Sequence, residues 1–199
     1  MYITDLKNER KFQSSVFVDD EFWAKIDNDV LTQNNVKIGT SVNSEFLSKL
    51  RFDSDYKRAK NKALYLLSFK DYSKKELIEK LKKDFCQEAS EKTIVRMEEL
   101  GFINDAAFAK KRAQDLLFNK CFSKRRVEFE LAQKGIDKSL ICCALDELEC
   151  DPVEQIKLLI EKKYKSAYSD KKIKRRAIAF LQRHGYLWDD IKQVFDTSV

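Results

Sequence analysis

Glycine and proline are nearly missing from this chain, with four and one in 199 residues. Positive-φ turns and fixed-φ turns are therefore few, which disfavours a many-turned sheet and favours long helices. Histidine occurs once, and a zinc site of the His/Cys/Cys kind would need spacings that the five cysteines do not offer. Cysteine occurs five times, an odd number without a C-x-x-C pair, and no secretory leader precedes it. A reduced, cytoplasmic setting is the expectation, with the cysteines acting as small buried hydrophobes. No apolar run approaches the roughly 20 residues of a membrane span, so no membrane partner is expected. Neither G-x-x-x-x-G-K-[ST] nor G-x-G-x-x-G occurs, which removes two glycine-rich routes to nucleotide. His184 falls at a helix end on the stripe of Ala177, Phe180 and Leu181, where a packed or capping role outweighs a ligand or base. The acidic pairs Asp19/Asp20 and Asp189/Asp190 read as turn and cap residues. No catalytic, metal or cofactor-binding constellation emerges, and a non-enzymatic protein without cofactor is expected.

Charge is what the chain has in abundance. Charged residues make up 36% and hydrophobic ones 43%, with a net charge of +6. The excess is uneven: residues 1–57 carry a net of −2, whereas residues 58–199 carry +8. A basic C-terminal part suits nucleic acid or an acidic protein surface. The plain alternative is a highly charged helical protein with a solvated surface.

The stretch Tyr72-Ser73-Lys74-Lys75-Glu76-Leu77-Ile78-Glu79-Lys80-Leu81 organises the rest. Ser73 and Glu76 form an S-x-x-E capping box, and Leu77 and Leu81 lie four apart on one helical face. Fifty residues on stand Ser123, Val127 and Leu131, with Gly135 four beyond. Another fifty gives Ile173, Ala177, Leu181 and Gly185. The third copy has lost the serine, and the first has Phe85 in place of the glycine, but the apolar positions match. This is an internal repeat.

Residues 1–54 differ in texture and predict a small β-containing extension. Tyr2 and Ile3 start a short strand, and residues 15–18 and 22–26 flank the polar turn Asp19-Asp20-Glu21 as a β-hairpin. Residues 36–42, around Gly39, are strand or loop, and 27–33 are either a helical turn or a strand-like connection. Residues 44–50 predict a short helix capped by Ser44. An extension this small packs on the helical part or stays mobile.

From Asp55 the helical period takes over, in three units at 55–103, 104–150 and 151–199. The first carries Ala59, Ala63, Leu64 and Leu67, then a helix over 73–83, then one opened by Ser90 with Ile94, Met97 and Leu100 before Gly101. The second starts at Asn104-Asp105, and its Ala109, Ala113 and Leu117 repeat Ala59, Ala63 and Leu67 by the same shift. A helix over 123–134 follows, then one capped by Asp137 with Leu140, Ile141, Ala144, Leu145 and Leu148. The third opens on Asp151-Pro152-Val153-Glu154, with cap, first-turn proline and acid in their favoured places. Residues 170–184 form its second helix, and Leu187, Ile191, Val194 and Phe195 line its last. The fold class is mainly α: three tandem three-helix repeats in an elongated curved array, with an N-terminal β-hairpin extension.

The basic clusters are the functional candidates. Lys124-Arg125-Arg126 opens a helix, where cations oppose the macrodipole, so these charges serve something other than their own helix. Lys171, Lys172, Lys174, Arg175 and Arg176, with Arg183 further on, have only Asp170 nearby to offset them. On a helical wheel Lys171 and Arg175 face away from the core stripe, while Lys174 and Arg176 flank it. Binding of phosphate or of an acidic surface is one reading of both clusters, and a solvated face is the other. Arg58, Lys60, Lys62 and Arg112 are further basic positions, Arg112 with a possible packing role between units. Phe129 projects away from Val127 and Leu131 toward another unit or a partner.

The ordered set of residues resembles the bacterial RecX family over 56–196. Arg58-Ala59, Ala63-Leu64, Leu67-Ser68, Tyr72-Ser73 and Glu76-Leu77 through Leu81 are similar to its opening repeat. Gly101-Phe102-Ile103-Asn104-Asp105, Phe108-Ala109 and Glu130-Leu131 through Lys134-Gly135-Ile136 are similar to the central one. Lys162-Lys163, Phe180-Leu181-Gln182-Arg183-His184-Gly185-Tyr186 and Ile191 are similar to the third. Cys121-Phe122 departs from a turn that often holds glycine, and Phe85 from a glycine-like stop. The resemblance implies a monomeric regulator in DNA recombination, repair and the SOS response. Its partners would be the RecA filament and single-stranded DNA, with ATP hydrolysis and strand exchange suppressed. A DNA-binding helical protein without sequence preference or recombinase partner is the alternative; a helical enzyme is disfavoured by the missing constellation.

Overall fold

The computed structural model describes residues 1–10 and 12–196 and divides into two compact units, Met1–Ile103 and a second from Asn104 onward. The first unit begins with a three-stranded antiparallel sheet in the order β1 (Ile3–Arg10), β2 (Gln13–Val18), β3 (Glu21–Asp27). The expected hairpin is present, closed by two residues: Asp19 and Asp20 both take positive φ, 47° and 67°, between paired Val18 and Glu21. Two left-handed residues give the loop a twist that matches the strands. The first strand is longer than Tyr2-Ile3 suggested. Register breaks between Ile3 and Asp5 and between Asn8 and Arg10 interrupt the polar–apolar alternation that would have marked it. Residues 27–33 resolve as a helix, α1 (Asn28–Gln33), capped by the Asp27 carboxylate.

The sheet packs on α2 (Ser44–Leu67), which is one continuous helix of 24 residues. Neither glycine nor proline interrupts it, so the short helix over 44–50 and the first repeat helix are the same element. The boundary placed at 54/55 falls inside it. Asn43, not Ser44, is the cap, its side chain accepting from the Phe46 N–H at 2.8 Å. Ser54 is fully buried, and its hydroxyl accepts from the Asp27 N–H at 2.9 Å. Lys57 reaches Asp27 at 2.7 Å and also Asp29. Burial works against the Lys57 charge, but its hydrogen bonds to the two carboxylates carry its pKa above the ordinary lysine value. Ile3, Val16, Ile26, Val30, Leu47 and Leu50 form the core between sheet and helices.

The first repeat adds α3 (Lys74–Leu81) and α4 (Gln87–Glu99). The Ser73/Glu76 capping box is present, with the Glu76 N–H donating to Ser73 Oγ at 3.2 Å. Ser90 does not open α4. The helix begins a turn earlier after Cys86, and Ser90 is buried inside it, donating to the Cys86 carbonyl at 2.9 Å. Phe85, at the position of a glycine stop, fills the core with Ala59, Ala63, Leu77, Leu81, Ile94 and Met97. Ala63 rather than Leu64 takes the buried place on α2, and Leu64 stays exposed.

The second unit holds α5 (Asp105–Gln114), α6 (Lys124–Gln133), α7 (Lys138–Asp146), α8 (Pro152–Lys163), α9 (Lys171–Arg183) and α10 (Trp188–Asp196). Asn104 caps α5, which runs on into a π-helical turn at Asp115–Asn119. Cys121 then takes a φ of 50°, so the turn adopts the left-handed geometry a glycine would favour. α6 and α9 end alike: Gly135 and Gly185 take positive φ, and Ile136 and Tyr186 donate N–H groups to Leu131 and Leu181 carbonyls, both at 3.2 Å. The chain is thus mainly helical, with three three-helix repeats and an N-terminal three-stranded sheet. The cysteines are not the buried hydrophobes expected. Cys86, Cys142 and Cys143 are exposed, and Cys121 and Cys150 are half-buried. On α7 the core-facing stripe is Ile141, Ala144 and Leu145, which leaves 142 and 143 on the outer face.

Candidate functional site

Both basic clusters sit on second helices, and the tripeptide Lys-Arg-Arg recurs at 124–126 and 174–176, one repeat apart. Their surroundings differ. α6 begins directly before its tripeptide, with Ser123 as cap accepting from the Arg126 N–H at 3.2 Å. α9 begins three residues earlier in repeat register, capped by Asp170, which accepts from Lys172 at 2.7 Å and Ile173 at 3.3 Å. The extra turn carries Lys171 and Lys172.

The α6 cluster faces inward. Lys124 donates to the Leu145 carbonyl at 3.0 Å, closing the C-terminus of α7. Arg126 is half-buried, pairs with Glu130 at 2.6 Å, and lies over the rings of Phe122 and Phe129 at 5.7 and 5.4 Å. Its Nε is buried without a hydrogen-bond partner. The C-terminal end of α9 also meets the N-terminal end of α6: the Ser123 N–H donates to the His184 carbonyl at 3.0 Å. Cations that oppose the dipole of α6 therefore sit beside the negative ends of two neighbouring helices, which offsets their unfavourable place. Gly185 makes this approach possible. A Cβ there would stand 2.5 Å from Ser123 Oγ and 2.7 Å from Arg126 Cβ. Only Arg125 of this trio is exposed with no partner among the described residues.

Four residues outside the sequence-derived candidates complete that junction. The Tyr186 hydroxyl donates to the Cys121 carbonyl and the Gln155 Oε1, at 3.0 and 2.8 Å, and Gln155 Nε2 donates to the Leu117 carbonyl at 3.0 Å. A single hydroxyl proton serves the two acceptors in turn, or Gln155 turns its amide. Burial carries the Tyr186 pKa well above the ordinary tyrosine range. The signal available in sequence was Tyr186 itself, a polar-tipped residue where the preceding repeat has Ile136. His184 packs as expected: it is the C-cap of α9, its Nδ1–H donates to the Phe180 carbonyl at 3.0 Å, and its ring lies against Phe180 and Phe122. Burial lowers its pKa, with Lys163, Arg183 and Arg126 adding to the effect and the Phe180 bond opposing it.

The α9 cluster faces outward. Lys171, Lys172, Arg175 and Arg176 are exposed and have no ion pair among the described residues. Lys174 is half-buried with its ammonium 4.6 Å from the Phe195 ring, and Arg183 donates to the Ala179 carbonyl at 3.2 Å. Four unpaired cations on one exposed helix can meet phosphates or carboxylates at little desolvation cost. The other basic positions are engaged: Lys62 with Asp84, Arg112 with Asp115 at 2.7 Å, and Arg58 over the Phe85 ring. Among the described residues no group of three His, Cys, Asp or Glu side chains could hold a metal ion. No described helix is long and apolar enough to cross a membrane.

A sheet-bearing first unit followed by tandem three-helix repeats defines the class of protein. Family models match each repeat separately: the first three-helix domain of RecX at 59–97, the second at 104–145 and the third at 149–195. The regulatory protein RecX of Clostridioides difficile is 32% identical over 200 residues, covering 98% of this chain and 94% of that protein. That of Caldanaerobacter subterraneus is 28% identical, covering 97% of each. A crystal structure of regulatory protein RecX shares the fold with a TM-score of 0.65 at 20% identity, covering 98% of both chains. RecX from Lactobacillus salivarius gives 0.61 at 23% identity, covering 72% of this chain and 96% of that one. The chain belongs to the RecX family.

Proposed function

We propose that this protein binds the RecA filament on single-stranded DNA as a monomer and suppresses its ATP hydrolysis and strand exchange. The observation that carries this reading is the open basic face of α9, in a chain whose relatives along nearly its whole length are named regulatory protein RecX. Lys171, Lys172, Arg175 and Arg176 meet filament carboxylates or DNA phosphates, with Lys174 and Arg183 at the margins. Of the α6 trio, Arg125 is the remaining contact, since Lys124 and Arg126 are engaged within the fold. Inhibition is steric and electrostatic and requires no bond to be made or broken. Such a partner makes the cytoplasm the place of action. Binding weakens as salt rises, because surface pairs are screened and condensed counterions are released from DNA; affinity independent of salt would remove the electrostatic part.

The same cations suit bare DNA, the second reading. Titrating the protein into RecA's single-strand-dependent ATP hydrolysis, with bare DNA as competitor, separates the two. Inhibition at substoichiometric protein that persists in excess bare DNA is expected for a filament regulator. Full relief by bare DNA would leave a nonspecific DNA-binding protein.

A further inference from the structure

The first unit carries a second cationic surface, built differently from α9. Phe52 and Tyr56 lie one turn apart on α2 with rings nearly parallel, at 5° and centroids 6.1 Å apart. Lys92 on α4 places its ammonium 5.1 Å from both centroids, and Lys60, one further turn along α2, stands 4.6 Å from the Tyr56 ring. Both rings are half-buried. Some lysines elsewhere in this unit find carboxylates, Lys62 with Asp84, Lys74 with Glu98 and Lys82 with Glu91, while Lys70 and Lys80 lie over the ring of Tyr72, which is buried. Lys60 and Lys92 have no such pair among the described residues and rest on ring faces instead.

We infer that this α2–α4 face is a base-stacking subsite for single-stranded nucleic acid, formed by Phe52, Tyr56, Lys60 and Lys92. A cation over a partly exposed ring is a weak contact that water competes for. A nucleobase stacked on the same ring is a stronger one, and it is indifferent to sequence because every base has a π-face. The flexible lysines therefore act as placeholders. When a strand arrives, bases take the ring faces and the ammonium groups swing to the flanking phosphates. Parallel rings on successive helical turns offer two faces in one orientation, as neighbouring stacked bases require. An acidic peptide would engage the cations but leave the rings unused, so the aromatic pair favours nucleic acid. The site needs no recombinase and stands apart from the filament reading, which its failure would leave untouched.

Fluorescence anisotropy of the full chain with labelled oligothymidylate, and with an abasic strand of equal length, tests it without RecA. The native protein should bind oligothymidylate about tenfold more tightly than the abasic strand, within the range of one to two base stacks. The double variant Phe52→Leu/Tyr56→Leu should lose that preference while its affinity for the abasic strand stays. Lys60→Gln/Lys92→Gln keeps both rings and should weaken binding to both strands several-fold, which provides a reading if the ring variant melts early. Equal native affinity for the two strands, a preference surviving in a folded ring variant, or unchanged affinity in the lysine variant would overturn the assignment. So would displacement of oligothymidylate by polyglutamate at matched charge.

Discussion

The tripeptides at 124–126 and 174–176 are identical, yet the second unit uses them in opposite ways. In α6 the arginine at the third place is held by Glu130, Phe122 and Phe129. One repeat later those three positions are Phe180, Lys172 and Ala179, so Arg176 has neither its carboxylate nor its two rings and stands in solvent. The first place is conserved in purpose: Lys124 covers Leu145 through its carbonyl, and Lys174 covers Phe195, its counterpart fifty residues on, through its ring. A cluster of like charge is thus neither a site nor a solvated face by composition. What decides is whether neighbouring residues supply partners, and here a change at three flanking positions turns a packing element into an open cationic surface.

The sharpest test of the buried side of this contrast is Gly185→Ala. Positive φ and the collision with Ser123 and Arg126 should together lower stability by about 3 kcal/mol. Gly101→Ala, at a φ of 73° with nothing within 4 Å of the added carbon, should cost about 1 kcal/mol. Urea unfolding of both measures the difference, and equal losses would show that the α6–α9 junction is not tight. Tyr186→Phe leaves the Cys121 carbonyl and Gln155 without their donor and should cost about 1–2 kcal/mol by the same method. Arg126→Ala should destabilise by about 1 kcal/mol, through lost stacking and pairing, whereas Arg176→Ala should stay within about 0.5 kcal/mol. If the two arginines behave alike, the contrast between the helices fails.

The smallest effect is a pH dependence. The His184 pKa is depressed in the fold relative to the unfolded chain, so the unfolded state binds the proton more readily. Its contribution to stability is complete above the unfolded value and is lost as pH falls from there through the folded one. Because the chain has one histidine, subtracting the profile of His184→Gln from that of the native protein isolates this slope. A difference that stays flat across this range, or that grows on acidification, would contradict the burial of the ring.

Much of the fold was legible because it is written in periodic positions. The fifty-residue shift relating Leu77 to Val127 and Ala177, and the glycines after the second and third copies, needed only helical spacing and stop chemistry. What escaped had specific causes. The continuity of α2 was hidden by a change in texture at residue 55, where strand-rich and helix-rich segments meet without a breaker. Ser90 looked like a cap because serine is favoured there, yet inside a helix its hydroxyl can instead bond the carbonyl four residues back. The outward cysteines were misplaced by residue type, when the stripe on α7 already excluded positions 142 and 143. For the candidate site, the basic residues were visible but their division was not. Lys124 ends on a carbonyl 21 residues away and Arg126 packs beside a glycine from the next repeat, contacts that no local pattern encodes.

On the proposed function the outward cations of α9 act on a partner, while Lys124 and Arg126 of α6 serve packing within the second unit. Inhibition of RecA's single-strand-dependent ATP hydrolysis by the charge-reversed variant Lys171→Glu/Lys172→Glu/Arg175→Glu tests it most directly, with a thermal melt of the same sample. Inhibition should fall at least tenfold while the melting temperature stays within about 2 °C of the native value, as for surface changes without packing partners. A folded variant that inhibits as strongly as the native protein would contradict it.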